Sequence, residues 1–164
     1  MRICRGPAGR FLVVSAIAFW LGGFTFYAAV VVPVGADVLG SHQVQGFVTQ
    51  QVTNWLNVAG VCALPILFVN ALVFSRHRAG WLRWLSLLTL IAMSLVEVEL
   101  IALHPVLDRL LVASPHRQIL EQGRFDRLHD VYLISTTVQW FIGLLHVACV
   151  CVLWSGTPAI KEPA

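Results

Sequence analysis

Three ionisable side chains interrupt long apolar runs of this sequence and are the first candidates for chemistry: Glu97, Glu99 and His146. Ionisable groups are costly inside a membrane, so each is a functional hypothesis with a partner to be named. A carboxyl in such a place can bind a cation, relay a proton, or tie helices together through hydrogen bonds while it stays protonated. All three roles remain open for the glutamates, whereas His146 is expected to be a hydrogen-bonded core residue.

Only one of the two glutamates can point into a helix bundle. Residues two apart on a helix project in nearly opposite directions, at about 200° to each other. We predict that Glu97 faces inward, since it shares a helical face with Met93 and His104. The predicted polar interior comprises Glu97, Gln139, Thr25, His146 and Asn70.

Histidines near one end of the predicted bundle raise a metal or haem alternative. Four of them, together with nearby carboxylates, would suit Zn, Cu or Fe, and two at helix ends could ligate a haem: His42, His104, His116 and His129. The weak candidate ligands are His104, His129 and Glu97. Because no HxxxH, HxxE or CxxC pattern occurs, no metal or cofactor is firmly predicted.

The elements that must hold these residues are predicted from composition. Of 164 residues, 58% are hydrophobic and 12% charged, with a mean hydropathy of +0.79. A chain this short cannot hide so much apolar surface from water, so lipid is the expected solvent. We predict a single integral membrane domain over residues 1–164. The net charge of +3 suits membrane topology and gives no sign of nucleic-acid binding.

Four apolar segments predict an all-α, antiparallel up-down bundle of four transmembrane helices. The predicted spans cover residues 11–34, 54–74, 84–104 and 131–154, each about the ~20 residues that cross a bilayer. Pro65 is expected to kink the second span, and the third is expected to end near His104 and Pro105. Residues 105–130 are expected to form short amphipathic helices on the membrane surface.

Basic residues predict the orientation. The side that carries both termini collects seven Lys and Arg residues: Arg2, Arg5, Arg10, Arg76, Arg78, Arg83 and Lys161. The other side has four: Arg109, Arg117, Arg124 and Arg127. The positive-inside rule therefore predicts both termini in the cytoplasm, in a bacterial-type plasma (inner) membrane.

Glycines and the absence of nucleotide or hydrolase motifs narrow the remaining possibilities. Gly22 and Gly23 are expected to permit a close helix crossing with Gly60 or Gly143 as neighbour. The sequence contains no GxxxxGK[ST], GxGxxG or GxSxG pattern, which removes the sequence grounds for a nucleotide site or an α/β-hydrolase nucleophile.

Three segments resemble a family of four-helix membrane proteins related to the animal transmembrane protein 205. They are LGGFTFYAAVVVPV, QGFVTQQVTNWLN and FDRLHDVYLISTTVQW. The likeness is carried by Gly22, Gly23, Pro33, Phe125, Leu128 and His129. It implies four helices and a biochemical role that is largely unassigned. The pattern also looks like small anthrone-oxygenase-like membrane proteins, a resemblance that implies an oxygenase.

Two functional expectations follow. The first is a small non-enzymatic membrane protein, either structural or accessory, or one that handles a proton, a metal ion or a small solute around Glu97. The alternative is a cofactor- or metal-binding membrane oxidoreductase or oxygenase. The expected partners are membrane lipid and either a second copy or another membrane protein, with no nucleic acid.

Overall fold

The computed structural model describes residues 6–40, 42–74, 80–112 and 121–155, and these residues form four long helices. Helix α1 is Pro7–Leu39, α2 is His42–Phe74, α3 is Gly80–Val112 and α4 is Gln122–Ser155. The predicted all-α fold with four transmembrane helices is therefore confirmed. Two π-helical turns interrupt α1, at Ala18–Gly22 and Tyr27–Val31.

Length and surface both identify an integral membrane protein. The four apolar helical stretches are 33, 30, 32 and 34 residues long. At 1.5 Å per residue they reach about 45–50 Å, more than the roughly 30 Å of a hydrocarbon core. Large apolar side chains also cover the outside of the bundle, among them Phe19 at 76% and Trp55 at 70% exposure. Such a surface is stable against lipid and not against water.

The helices extend well beyond the predicted spans of 11–34, 54–74, 84–104 and 131–154. Hydropathy marks only the part of a helix that lies in hydrocarbon, whereas the helical hydrogen bonds continue into the polar headgroup region. The second helix accordingly begins at His42 and not near residue 54. The connection between α1 and this helix is short because Gly40 ends α1 abruptly. Gly40 takes a left-handed conformation with φ of 58° and donates its N–H to the Ala36 carbonyl at 3.2 Å.

Neither the proline inside α2 nor the one inside α3 ends its helix. Helix α2 continues through Pro65, and α3 passes Pro105 to reach Val112, so the predicted end near His104 and Pro105 is wrong. A proline removes a single backbone donor, and packed neighbours can compensate for this within a transmembrane bundle. Residues 105–112 and 122–130 are helical, as extensions of α3 and α4 and not as separate surface helices, while residues 113–120 lie outside the described part of the chain.

Side-chain contacts show an antiparallel up-down arrangement. Glu97 of α3 meets Gln139 of α4 on one side and Gly60 of α2 on the other. Helix α1 packs on α2 and reaches α4, where Trp140 donates to Thr25. We call the end with Pro7, Phe74, Gly80 and Ser155 the terminal end, and the end with Leu39, His42, Val112 and Gln122 the far end.

Apolar packing dominates the middle and the terminal half of the bundle, where α1, α2, α3 and α4 contribute to one cluster that includes Val13, Leu67, Leu90, Met93 and Val150. The predicted partnership of Gly22 and Gly23 with Gly60 or Gly143 is wrong. Gly22 faces open space, and Gly23 contacts the Leu56 side chain. Gly60 and Gly143 have no side chains of their own, which leaves space beside each. The Glu97 side chain fills the space at Gly60 and the Leu21 side chain fills the space at Gly143, so neither space is filled by another backbone.

Candidate functional site

Glu97 lies inside the bundle with 3% of its surface exposed. Gln139 Nε2 donates to Glu97 Oε2 at 2.7 Å, and the same nitrogen lies 3.2 Å from the Met93 carbonyl. Glu99 instead faces outward, where its Oε1 accepts a hydrogen bond of 3.2 Å from the Ser135 hydroxyl. The two carboxyls therefore differ in environment although they are two residues apart on one helix.

The second oxygen of Glu97 has unused hydrogen-bonding capacity. Oε1 is buried and has no hydrogen-bond partner. Gly60 lies directly against the carboxyl, since a Cβ at that position would be 2.7–2.8 Å from the carboxyl atoms. Among the residues that the structure describes, no cationic side chain forms an ion pair with Glu97. The carboxyl is thus held tightly, and no neighbour in the described ranges neutralises it.

A series of polar side chains leads from Glu97 to the far end. Tyr132 donates its hydroxyl proton to Asn57 Oδ1 at 3.2 Å, one helical turn from Gly60. A turn further along, His104 Nε2 lies 3.3 Å from the Thr53 hydroxyl and 3.1 Å from the Gln50 carbonyl oxygen. His104 Nδ1 lies 3.1 Å from a carboxyl oxygen of Asp108, whose side chain is 31% exposed.

His104 has the contacts of a proton relay. The Thr53 hydroxyl gives its own proton to the Thr49 carbonyl at 2.8 Å, so it accepts from the imidazole. One ring nitrogen thus faces acceptors inside the bundle, and the other faces the half-exposed carboxyl of Asp108. An imidazole placed in this way can receive a proton on one nitrogen and release one from the other.

A groove of about 430 Å³ runs beside this series between α2 and α3. Its polar wall includes Asn54, Asn57, His104 and Asp108, and its apolar wall includes Val58, Val61 and Ile101. A space of this size with several polar groups is large enough for water molecules, each of which needs about 30 Å³. Water in the groove can therefore connect Asn57 with His104, which both line it, whereas Tyr132 and Glu97 do not line it.

Thr25 does not belong to the interior, contrary to the prediction. Its side chain is exposed, donates to the Leu21 carbonyl at 2.7 Å and accepts from Trp140 Nε1 at 2.9 Å. The π-helical turn Ala18–Gly22 precedes it and inserts an extra residue into the helical repeat. The prediction rested on the depth of Thr25 along the helix, and depth does not fix the direction in which a side chain points.

His146 and Asn70 lie in the terminal half of the bundle and away from Glu97. His146 is completely buried, and its Nδ1 is 2.9 Å from the Thr89 hydroxyl. Asn70 is 3% exposed, and its Oδ1 accepts from Trp154 Nε1 at 3.3 Å. Thr89 and Glu97 are eight residues apart on α3, or about 12 Å. The predicted single polar interior is therefore two separate clusters.

The weak metal candidates have separate surroundings. Glu97 bonds Gln139, His104 bonds Asp108, and His129 stacks on Phe125 with ring centroids 5.6 Å apart. Within the described ranges, no group of three or more His, Cys, Asp or Glu side chains is close enough to hold a metal ion. His116 and the side chain of His42 lie outside the described part.

Sequence reasoning missed most of the far-end series, although its spacing carried a signal. Polar or small residues recur every three or four positions on one face of α2 and of α4, and seven and four positions apart on α3, which is the period of an interior-facing stripe. These residues are Gln50, Thr53, Asn57 and Gly60 on α2, Glu97, His104 and Asp108 on α3, and Tyr132, Thr136 and Gln139 on α4.

No known protein family, curated protein or solved structure gives a significant match to this chain. The site contains one buried carboxyl, that of Glu97, and a neighbouring series of hydroxyl, amide and imidazole groups. Such an arrangement can take up, hold and release a proton.

Proposed function

We propose that this protein is a proton-handling membrane protein, in which Glu97 binds and releases a proton through the far end of the bundle. The observation that carries the proposal is a carboxyl that is 97% buried, has one hydrogen bond and has no cationic partner among the described residues. A bare carboxylate in an apolar interior costs several kcal/mol. Glu97 therefore needs a proton or a cation.

The close contacts around Glu97 favour a proton over a metal ion. Hard cations such as Ca²⁺ and Mg²⁺ take about six or more oxygen ligands. The described neighbours supply Glu97 with one polar side chain, Gln139, while the Gly60 backbone closes the opposite side. A proton requires only the unpartnered Oε1 of Glu97.

The far-end series supplies the route. A proton from water binds first at Asp108, which is 31% exposed, and passes through His104, whose two ring nitrogens face different partners. Water in the groove between α2 and α3 then carries the proton as far as Asn57, the hydrogen-bond partner of Tyr132. Because Glu97 does not line the groove, further water must enter between Asn57 and the Glu97 carboxyl to complete the transfer. Each step breaks one O–H or N–H bond and forms another, without any redox change.

Infrared titration of the protein in lipid tests this proposal. A protonated carboxyl has a C=O stretch that a carboxylate lacks, so the band of Glu97 should disappear on alkalinisation and return on acidification. Glu97→Gln should lack the band, and Glu99→Gln is the matched control because Glu99 is exposed and two residues away. A Glu97 band whose intensity is the same at every pH at which the protein stays folded would contradict the proposal.

A purely structural role is the second candidate, and the Gln139 bond favours it. Hydrogen bonds between transmembrane helices contribute about 0.6–2 kcal/mol. If this is the whole role of Glu97, its carboxyl stays protonated at all pH values and Glu97→Gln keeps full stability, because an amide can replace the hydrogen bond. The infrared titration distinguishes the two candidates.

The basic-residue count favours both termini in the cytoplasm of a bacterial-type inner membrane, which puts the far end and Asp108 outside. Six of the residues in that count lie outside the described ranges: Arg2, Arg5, Arg76, Arg78, Arg117 and Lys161. Arg124→Cys in a cysteine-free chain should react with a membrane-impermeant maleimide on intact cells. Reaction only after lysis would reverse the orientation.

A further inference from the structure

A second group of buried polar side chains lies in the terminal half of the bundle and has no part in the far-end route. His146 and Ser86 are completely buried, and Thr89 is 4% exposed. Thr89 Oγ1 donates to the Ser86 carbonyl at 2.9 Å and is 2.9 Å from His146 Nδ1. Because the Thr89 proton is used on the carbonyl, Nδ1 of the imidazole is the donor in that contact.

If Nδ1 carries the proton of the neutral imidazole, His146 Nε2 is a buried hydrogen-bond acceptor. Nε2 has no hydrogen-bond partner, and neither has the Ser86 hydroxyl. Buried polar atoms in proteins almost always have a partner, either in the protein or in ordered water. Two such atoms in one cluster therefore indicate a bound polar species, and water is the smallest that can pair with either atom.

An apolar layer separates the two buried clusters along the bundle axis. Leu67, Leu90 and Met93, each at most 1% exposed, form this layer. On α4, Gln139, Gly143 and His146 follow one another on a single buried face, so Gly143 marks the level between the clusters. Leu21 of α1 occupies the space beside Gly143, where a Cβ would be 2.9 Å from a Leu21 methyl group.

We propose that His146, Thr89 and Ser86 form a second, hydrated proton site, which exchanges protons with Glu97 and passes them on toward the terminal end. The inference rests on the proposed role of Glu97 and extends it from proton binding to transfer across the membrane. Transfer breaks the carboxyl O–H bond of Glu97 and forms an N–H bond at His146 Nε2, with intervening water as carrier. Eight residues of α3 separate the sites, about 12 Å, so several water molecules must enter the layer transiently.

Few other titratable groups surround His146 in the described part of the chain. Cys149 lies on the same helix one turn away, and Glu97 lies beyond the apolar layer. Arg83 of α3 is exposed, and Arg10 of α1 lies over the Trp154 ring at 5.5 Å. The imidazole is thus the proton acceptor closest to Glu97 on the terminal side.

Proton flux into liposomes that contain an internal pH-sensitive dye tests the inference. Wild-type protein should conduct protons under an imposed gradient, and His146→Gln should reduce the flux about a hundredfold, the scale of losing a proton-transfer group. The infrared band of Glu97 should still titrate in His146→Gln. Unchanged flux in this variant, or no flux in wild-type protein whose Glu97 titrates, would overturn the inference and leave the proposed function intact. A Glu97 band that never titrates would instead overturn the proposed function.

Ser86→Ala gives a second test that does not depend on His146 variants folding. If the cluster is hydrated, removal of the hydroxyl should slow proton flux and should not raise the unfolding temperature. In a dry cluster the hydroxyl is an unpaired buried group, so alanine should stabilise the protein and leave the flux unchanged. Ser94→Ala is the matched control on the same helix, because the Ser94 hydroxyl already donates to the Leu90 carbonyl at 2.8 Å. Stabilisation by Ser86→Ala with unchanged flux would rule out the hydrated site.

Discussion

At the scale of single residues, the site depends on how closely its atoms fit. Glu97 is fixed by one amide and by the absence of a side chain at Gly60. The inward direction of Glu97 followed from helical spacing in the sequence, and so did a partner at the depth of Gln139. The role of Gly60 did not, because a glycine in an apolar run carries no sign of what lies across the helix interface.

Gly60→Ala should therefore disturb the carboxyl directly. The added methyl would lie 2.7–2.8 Å from the Glu97 carboxyl atoms, so the carboxyl must move and the Gln139 bond must lengthen. We expect a loss of about 1–3 kcal/mol in unfolding free energy and a shifted infrared band for Glu97. Gly23→Ala is the matched control, since its nearest neighbour, a Leu56 methyl, would be 3.6 Å away. Equal effects of the two substitutions would contradict the tight fit at Gly60.

Asp108→Asn should slow proton entry without changing the final protonation of Glu97. The carboxyl of Asp108 lies 3.1 Å from His104 Nδ1, and an asparagine cannot pick up a proton from water. Stopped-flow infrared measurement after a pH jump should show a rate about tenfold or more lower. Asp126→Asn is the control, because Asp126 is exposed and its carboxyl accepts a hydrogen bond of 2.9 Å from Gln122 Nε2, away from His104. An unchanged rate in Asp108→Asn would remove Asp108 from the route.

At the scale of helices, the sequence predicted the apolar stretches well and the helix ends poorly. Hydropathy indicates which residues contact lipid, whereas backbone hydrogen bonding determines where a helix ends. The second helix therefore begins at His42, before its apolar stretch, and α3 continues past Pro105. Thr25 was misplaced for a different reason. Its depth along α1 predicted an interior position, but depth does not fix the direction of a side chain, and the π-helical turn Ala18–Gly22 shifts that direction without a sign in the sequence.

The same turn carries Leu21, which we expect to limit proton transfer between the two buried clusters. Only 17% of the apolar 18-residue stretch of α1 is buried, compared with 33–39% for the other helices. Helix α1 is therefore the element that can move most easily. Leu21→Ala should leave space beside Gly143 and raise the proton flux in liposomes several-fold. Phe19→Ala is the control in the same turn, because Phe19 is 76% exposed. A flux that stays at the wild-type level would exclude Leu21 from the barrier.

At the scale of the whole molecule, the polar groups are distributed along the bundle axis and not collected at one centre. Composition and hydropathy were enough to predict four antiparallel transmembrane helices. They could not predict two polar clusters separated by Leu67, Leu90 and Met93, because that division depends on which faces of α2, α3 and α4 meet. Contacts such as Tyr132 with Asn57 join residues 75 positions apart and appear only after folding.

The extension of α3 past Pro105 links proton uptake to the lipid itself. Asp108 lies eleven residues from Glu97 along this helix, about 16 Å toward the far end, a distance comparable with half of the roughly 30 Å hydrocarbon core. Acyl-chain length then decides how much of the His104–Asp108 pair lies above the hydrocarbon. Bilayers of long-chain lipids would cover the entrance with hydrocarbon and thin bilayers would leave it in water, so the same protein would exchange protons at different rates in different membranes.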